Sequence, residues 1–334
     1  MKYSNVKQSI VAQFSQDRAD ANKTVFFIMG QPGGGKSACA RDALKELGFT
    51  SANTVEFVAS LRDPVDVLGT PNNNGEFTKW VPPEEFYKLR SGRCALLLEE
   101  LSDAPVPMQN ALCGVIYDRR AGQLQLSDQL YVIATGNRTE DKSGANRITS
   151  KLAWRTRRLD FTENLDELVQ YALETGWPTE LIQYLRFKPD AMVDFDPNRF
   201  QNATPRTWED VARMPSGLPM DLELDNITGS VGAGRAAEYV GFKQIYESLP
   251  DITEILMNPA KAAVPDNLAA KYATVGAVAR KASADNFEQV CIYTNRMEPE
   301  FRVMCVKDAI KLAPAIKRTR SFQQWASQNA DVLI

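Results

Sequence analysis

The stretch that decides the fold is "GQPGGGKSACARDAL", Gly30–Leu44, entered from the apolar run "TVFFIM" at residues 24–29. A short β-branched and aromatic run that stops at glycine predicts a buried strand, and the segment 36–47 after it predicts a helix. Between them, Gly30 to Ser37 fits G-x-x-x-x-G-K-[ST] at every fixed position. Gly30, Gly33 and Gly35 let backbone N–H groups turn inwards around a β-phosphate, and the helix N-terminus adds favourable partial charge. Lys36 is placed to reach the β- and γ-phosphates, and the Ser37 hydroxyl to bind Mg²⁺. Pro32, Gly34 and Ala38 complete the expected nucleotide-binding set. A glycine-rich turn that binds nothing is the weaker reading, because a strand precedes the motif and a helix follows it.

The same alternation continues outward. "TVEFVAS" (54–60), "CALLLEEL" (94–101), "YVIATGN" (131–137) and "RRLDF" (157–161) read as further strands, with helical stretches such as residues 106–120 between them. Strands alternating with helices imply a parallel sheet covered on both faces, hence an α/β fold. Beyond about residue 160 the strand signals fade, and "NLDELVQYALETG", "PTELIQYLRF" and "ATPRTWEDVARM" read as amphipathic helices. Residues 69–77 and 194–205, rich in Asn, Pro and Gly, read as loops.

Four further sites carry expected chemistry. "CALLLEELSDAP" runs four apolar residues into Glu99 and Glu100; a carboxylate at such a strand end holds the metal's water shell, and a second one polarises the attacking water. Glu99 is the metal-side candidate and Glu100 the water-activating one, with Glu standing where Asp is usual. Asn137 ends the strand "VIATGNR", placed to orient that water and to sense the γ-phosphate. Arg155, Arg157 and Arg158 precede the last strand; a guanidinium lent by a neighbouring subunit is worth on the order of 10³–10⁵ in rate. Arg206 opens a helix in "ATPRTWEDV", where it could touch the γ-phosphate.

In this order the parts resemble an AAA+ ATPase, and more narrowly the MoxR/dynein-related branch in its bacterial and phage form. "LLLEELSDAPVPMQNAL" matches that branch's acidic-strand pattern apart from Glu99. "RDPVDVLGTP…GEFTKWVPP" resembles the segment between its second and third strands, "VIATGNR" its first-sensor strand, and "TPRTWE" its second-sensor segment. "LAWRTRRLDF" is similar to its finger segment and aligns Arg155 with the finger. The resemblance covers about residues 20–215. It implies a five-stranded parallel sheet in the order 5-1-4-3-2, then an all-α lid and a helical C-terminal extension. The corresponding boundaries are residues 1–161, 162–220 and 221–334. It further implies ATP and Mg²⁺ as cofactors, and hydrolysis by a homo-oligomeric ring, usually hexameric, with active sites between subunits. The implied work is chaperone-like remodelling of a protein partner, often one with a von Willebrand factor A-like domain. Whether Arg206 reaches its own nucleotide or a neighbour's is left open by the resemblance.

Composition narrows the alternatives. The 334-residue chain holds no histidine, which excludes His general acid–base catalysis and His metal ligands. Its five cysteines are scattered without C-x-x-C spacing, so a disulfide framework or zinc site is not expected and a reducing cytoplasm is. The N-terminus lacks the apolar run of a signal peptide, and no segment reaches the ~18 apolar residues of a membrane span. A net charge of −3 gives no global attraction to nucleic acid. A nucleic-acid translocase is therefore the alternative rather than the first reading. A slow, nucleotide-gated assembly scaffold is another, favoured by Glu99 in place of Asp.

Overall fold

The computed structural model describes residues 1–18, 20–73, 75, 78–141 and 146–329. They form two compact units. The first takes Met1–Asn164 with Asp196–Asn198, and the second Leu165–Phe195 and the described residues from Arg199 onward.

In the first unit the five apolar runs form β1 (Phe26–Met29), β2 (Thr54–Val58), β3 (Cys94–Glu99), β4 (Leu130–Gly136) and β5 (Arg157–Asp160). They pair in parallel in the order 5-1-4-3-2, as expected, in a mixed α/β architecture. Phe26 of β1 lies level with Ile133 of β4 and Arg157 of β5. The central strands are buried on both faces, which is why "CALLL" reads as a continuous apolar run rather than an alternating one. Successive side chains feed two cores. Phe27, Met29, Leu96 and Leu98 pack with Met108, Leu112 and Val115 of α3 (Val106–Tyr117). Phe26, Ile28 and Leu97 pack with Cys39 and Ala43 of α2 (Lys36–Glu46).

The second of these cores is closed by a helix the sequence reading passed over. The polar-looking N-terminal segment forms α1 (Tyr3–Phe14), and Val6, Ile10 and Phe14, each four residues apart, are buried on one face of it. Burying side chains of this size stabilises by roughly 1.5–3 kcal/mol each. Two more differences concern turns. Part of the expected 69–77 loop is a hairpin, Thr70–Asn73 against Thr78–Val81, while positions 74, 76 and 77 lie outside the described residues. The helix expected over 106–120 stops at Tyr117; Arg119 takes a left-handed φ of 53°, and Arg120–Ala121 turns into a short hairpin with Leu124–Gln125.

The second unit is helical: α4 (Leu165–Thr175), α5 (Thr179–Phe187), α6 (Pro205–Ala212), α7 (Met220–Val231), α8 (Ala233–Glu247), α9 (Leu268–Lys281), α10 (Phe287–Thr294), α11 (Pro299–Leu312) and α12 (Arg320–Gln328). Thr204 opens α6 with a capping box to Thr207. Trp208 on α6 is fully buried and donates its indole N–H to Ala191 O at 2.7 Å. Around it, Tyr184, Tyr239 and Phe242 form an aromatic cluster, so one core is continuous from α4 through α8 to α9. A second core joins α9 to α10, α11 and α12, with Trp325 buried and Phe322 stacked beside it. The two cores are tied by an ion pair between Arg186 on α5 and Asp308 on α11.

Candidate nucleotide site

β1 delivers the chain to Gly30 beside β4, where Gly30 N donates to Gly136 O at 3.3 Å. The loop through Pro32, Gly33 and Gly34 then turns into α2 at Gly35, whose φ of 100° is a left-handed conformation that favours glycine. Lys36 is buried. Its ammonium donates to Gly30 O (2.9 Å), Gln31 O (2.6 Å) and Asn137 Oδ1 (3.0 Å). One cation thus ties the loop's first turn to the end of β4. Ser37 and Ala38 follow on the first turn of α2, with the helix N-terminus facing the loop.

The acidic strand end arrives from β3. Ser37 Oγ donates to Glu99 Oε2 at 2.8 Å, so the hydroxyl and the carboxylate expected to share a metal ion already converge. The pair fits Mg²⁺, a hard cation that takes oxygen ligands and keeps several waters. The extra methylene of Glu99 lets its other oxygen reach Arg41, one turn further along α2. Arg41 also grips both oxygens of Glu56 on β2 at 3.0 Å, and the two carboxylates hold its guanidinium charged.

Glu100 is set apart by its backbone. Its φ of 53° places a non-glycine residue in the left-handed region at the end of β3. Its carboxylate accepts a hydrogen bond from Ser60, just past β2. Asn137 is fixed from three sides: its backbone N–H donates to Ser102 Oγ (2.7 Å), its amide donates to Asp103 Oδ2 (2.9 Å), and its Oδ1 accepts from Lys36.

Glu163 packs against the outside of the loop, where a methyl at position 34 would collide with its carboxyl group. One of its oxygens is buried without a hydrogen-bond partner. Burial raises its pKa above the usual carboxylate value, with Lys36 and Arg138 pulling it back.

Gly30, Pro32, Gly33, Gly34, Gly35, Lys36, Ser37, Ala38, Glu99, Glu100 and Asn137 therefore meet at the carboxyl ends of β1, β3 and β4. Arg155 does not. β5 runs parallel to β1 with Arg157 level with Phe26, so Arg155 lies beyond the opposite, amino end of the sheet. The strand alone separates those levels by about 10 Å. Arg155 is exposed, and its guanidinium carbon sits 3.2 Å from the centroid of the Tyr117 ring. Arg206 is exposed on the first turn of α6, in the second unit.

Sequence reasoning had no role for Arg41, Ser60, Asp103, Tyr117 or Glu163. Arg41 was accessible to it, since Ser37 and Arg41 are four apart and share a helix face. The others depend on which strand ends neighbour which.

No family model and no curated protein matches the chain. Among solved structures it is similar to NtrX from Brucella abortus, at 14% identity and a TM-score of 0.42 over 92% of this chain and 67% of that one. It is likewise similar to NtrX in complex with ADP, at 14% identity and 0.41 over 98% and 68%. A lysine-to-arginine variant of RuvB from Thermotoga maritima matches at 15% identity and 0.38, over 77% of this chain and 76% of that one. No helix among the described residues is long and apolar enough to cross a membrane, and the five cysteines are free.

Proposed function

We propose that the chain is an ATPase of the AAA+ class, of the MoxR/dynein-related branch, which hydrolyses ATP at the interfaces of a homo-oligomeric ring to remodel or activate a protein partner. The observation that carries this reading is the convergence of Lys36, Ser37, Glu99 and Asn137 at one end of the sheet while Arg155 stands at the other. A residue so placed within one copy would serve the reaction from a second copy. Lys36 would hold the β- and γ-phosphates, Ser37 and Glu99 the Mg²⁺, and Glu100 and Asn137 the attacking water. The metal would supply charge neutralisation at the transferring phosphoryl group. The second unit would act as lid and extension, with Arg206 reporting the nucleotide state. A partner with a von Willebrand factor A-like domain follows from the family resemblance, and a reducing cytoplasmic setting from the five scattered cysteines.

A slower, scaffold-like activity has one observation in its favour. Arg41 already engages the carboxylate that the metal would need, and so competes for it. The test is an ATPase assay alone, with single- or double-stranded DNA, and with candidate protein partners, alongside particle images with and without ATP and Mg²⁺. Stimulation by a protein partner and nucleotide-dependent rings are expected. Strong stimulation by DNA alone would overturn the protein-remodelling role, and undetectable hydrolysis under every condition would overturn the enzymatic one.

A further inference from the structure

Resting on that reading, we propose that Tyr117 is a positioning residue for Arg155: its ring holds the guanidinium of one subunit aimed at the nucleotide of the next. Arg155 has its guanidinium carbon 3.2 Å from the Tyr117 ring centroid, a tighter approach than the 4.3 Å at which Arg93 lies over Phe49. Among the described residues no carboxylate forms an ion pair with Arg155. The difference matters chemically. A carboxylate would neutralise the charge and occupy the N–H edge, which is the part a phosphate must use. An aromatic face attracts the cation through its quadrupole and covers only the flat side of the guanidinium. The donors around the rim stay free for bidentate contact with phosphate oxygens. The support is also well anchored. Tyr117 is the last residue of α3, whose Val115 and Ile116 are buried in the sheet core, while Tyr117 itself is half exposed. A long, otherwise mobile side chain is thereby narrowed to a few rotamers before a neighbour arrives.

The measurement is steady-state ATP hydrolysis by the assembled full-length chain, with kcat and KM for ATP taken separately. Tyr117→Ala should lower kcat roughly threefold to fivefold, the weight of an exposed cation–π contact, with KM unchanged. Tyr117→Phe, which keeps the ring, should restore it, and Tyr117→Leu should not. The effect must also belong to the donating subunit. Arg155→Ala subunits mixed with Glu100→Gln subunits should regain activity, because the second kind lends its arginine to the first. Giving Tyr117→Ala to the Glu100→Gln partner should cut that regained activity by the same factor; giving it to the Arg155→Ala partner should not. If Arg155→Ala is harmless or the mixture regains nothing, the trans-acting arginine itself is refuted. If the mixture works but Tyr117→Ala matches wild type, raises kcat, or acts from the accepting subunit, the role of Tyr117 alone is refuted.

Discussion

Replacing Lys36 by methionine separates a ligand-binding lysine from a structural strut. The ammonium makes three hydrogen bonds, to Gly30 O, Gln31 O and Asn137 Oδ1. Bonds from a charged donor contribute about 1.5–3 kcal/mol each, so the gross loss is roughly 4–9 kcal/mol. Against it stands the several kcal/mol that burying an ammonium costs, which methionine avoids. The two nearly offset, leaving a net change within about 2 kcal/mol. A unit of this size shifts by roughly 2–4 °C per kcal/mol, so its melting temperature should move by less than about 8 °C. Nucleotide binding has no such offset. Two charge-assisted bonds to phosphate are lost outright, roughly 3–6 kcal/mol, or about 10²–10⁴ in Kd. Titration calorimetry with ATP, run beside differential scanning calorimetry, reads both quantities. A Kd within tenfold of wild type, combined with a melting temperature lowered by ~15 °C or more, would refute the reasoning and make Lys36 a brace for the loop.

Other expectations follow from the same geometry. Glu100→Gln should keep ATP binding and lower turnover by about 10²–10⁴, the usual contribution of a positioned base; quantifying ATP retained after gel filtration checks it, and undiminished turnover removes Glu100 from the role. Asp308→Ala should destabilise the second unit by about 3–5 kcal/mol, because Asp308 is 3% exposed and its loss strands the Arg186 guanidinium. Denaturant unfolding should show the midpoint fall; a change under ~1 kcal/mol would mean the pair is well solvated. Glu163, with its pKa raised in the folded chain, favours folding in its protonated form. That contribution is complete below the ordinary Glu value of about 4.3 and is lost as pH rises through the raised value. The melting-temperature advantage of Glu163→Gln should therefore grow as pH rises above about 4.3, and a pH-independent difference would exonerate Glu163.

Much of the fold was legible because parallel strands buried on both faces leave an unmistakable trace. "FFIM" and "CALLL" lie within the expected runs, and the family resemblance supplied an order that the register reproduces. Helix α1 was missed for the opposite reason: three apolar residues four apart, among nine others, are a faint stripe unless their spacing is counted. The site divides similarly. Lys36 and Ser37 belong to a local loop whose pattern is written in consecutive residues. Ser60 and Tyr117 become relevant only because strand order brings β2 beside β3 and turns the end of α3 towards the chain before β5. A one-dimensional pattern carries no information about such neighbours: it places Arg41 on the helix face of Ser37, but not Glu56 and Glu99 against it.

The left-handed backbone at Glu100 has an evolutionary corollary. A glutamate there sacrifices on the order of 1 kcal/mol that glycine, and in part asparagine, would recover. A library ranked purely on heat tolerance should drift to those two residues at position 100, whereas one ranked on ATP consumed should hold the glutamate. Position 100 would thus separate selection for heat tolerance from selection for turnover.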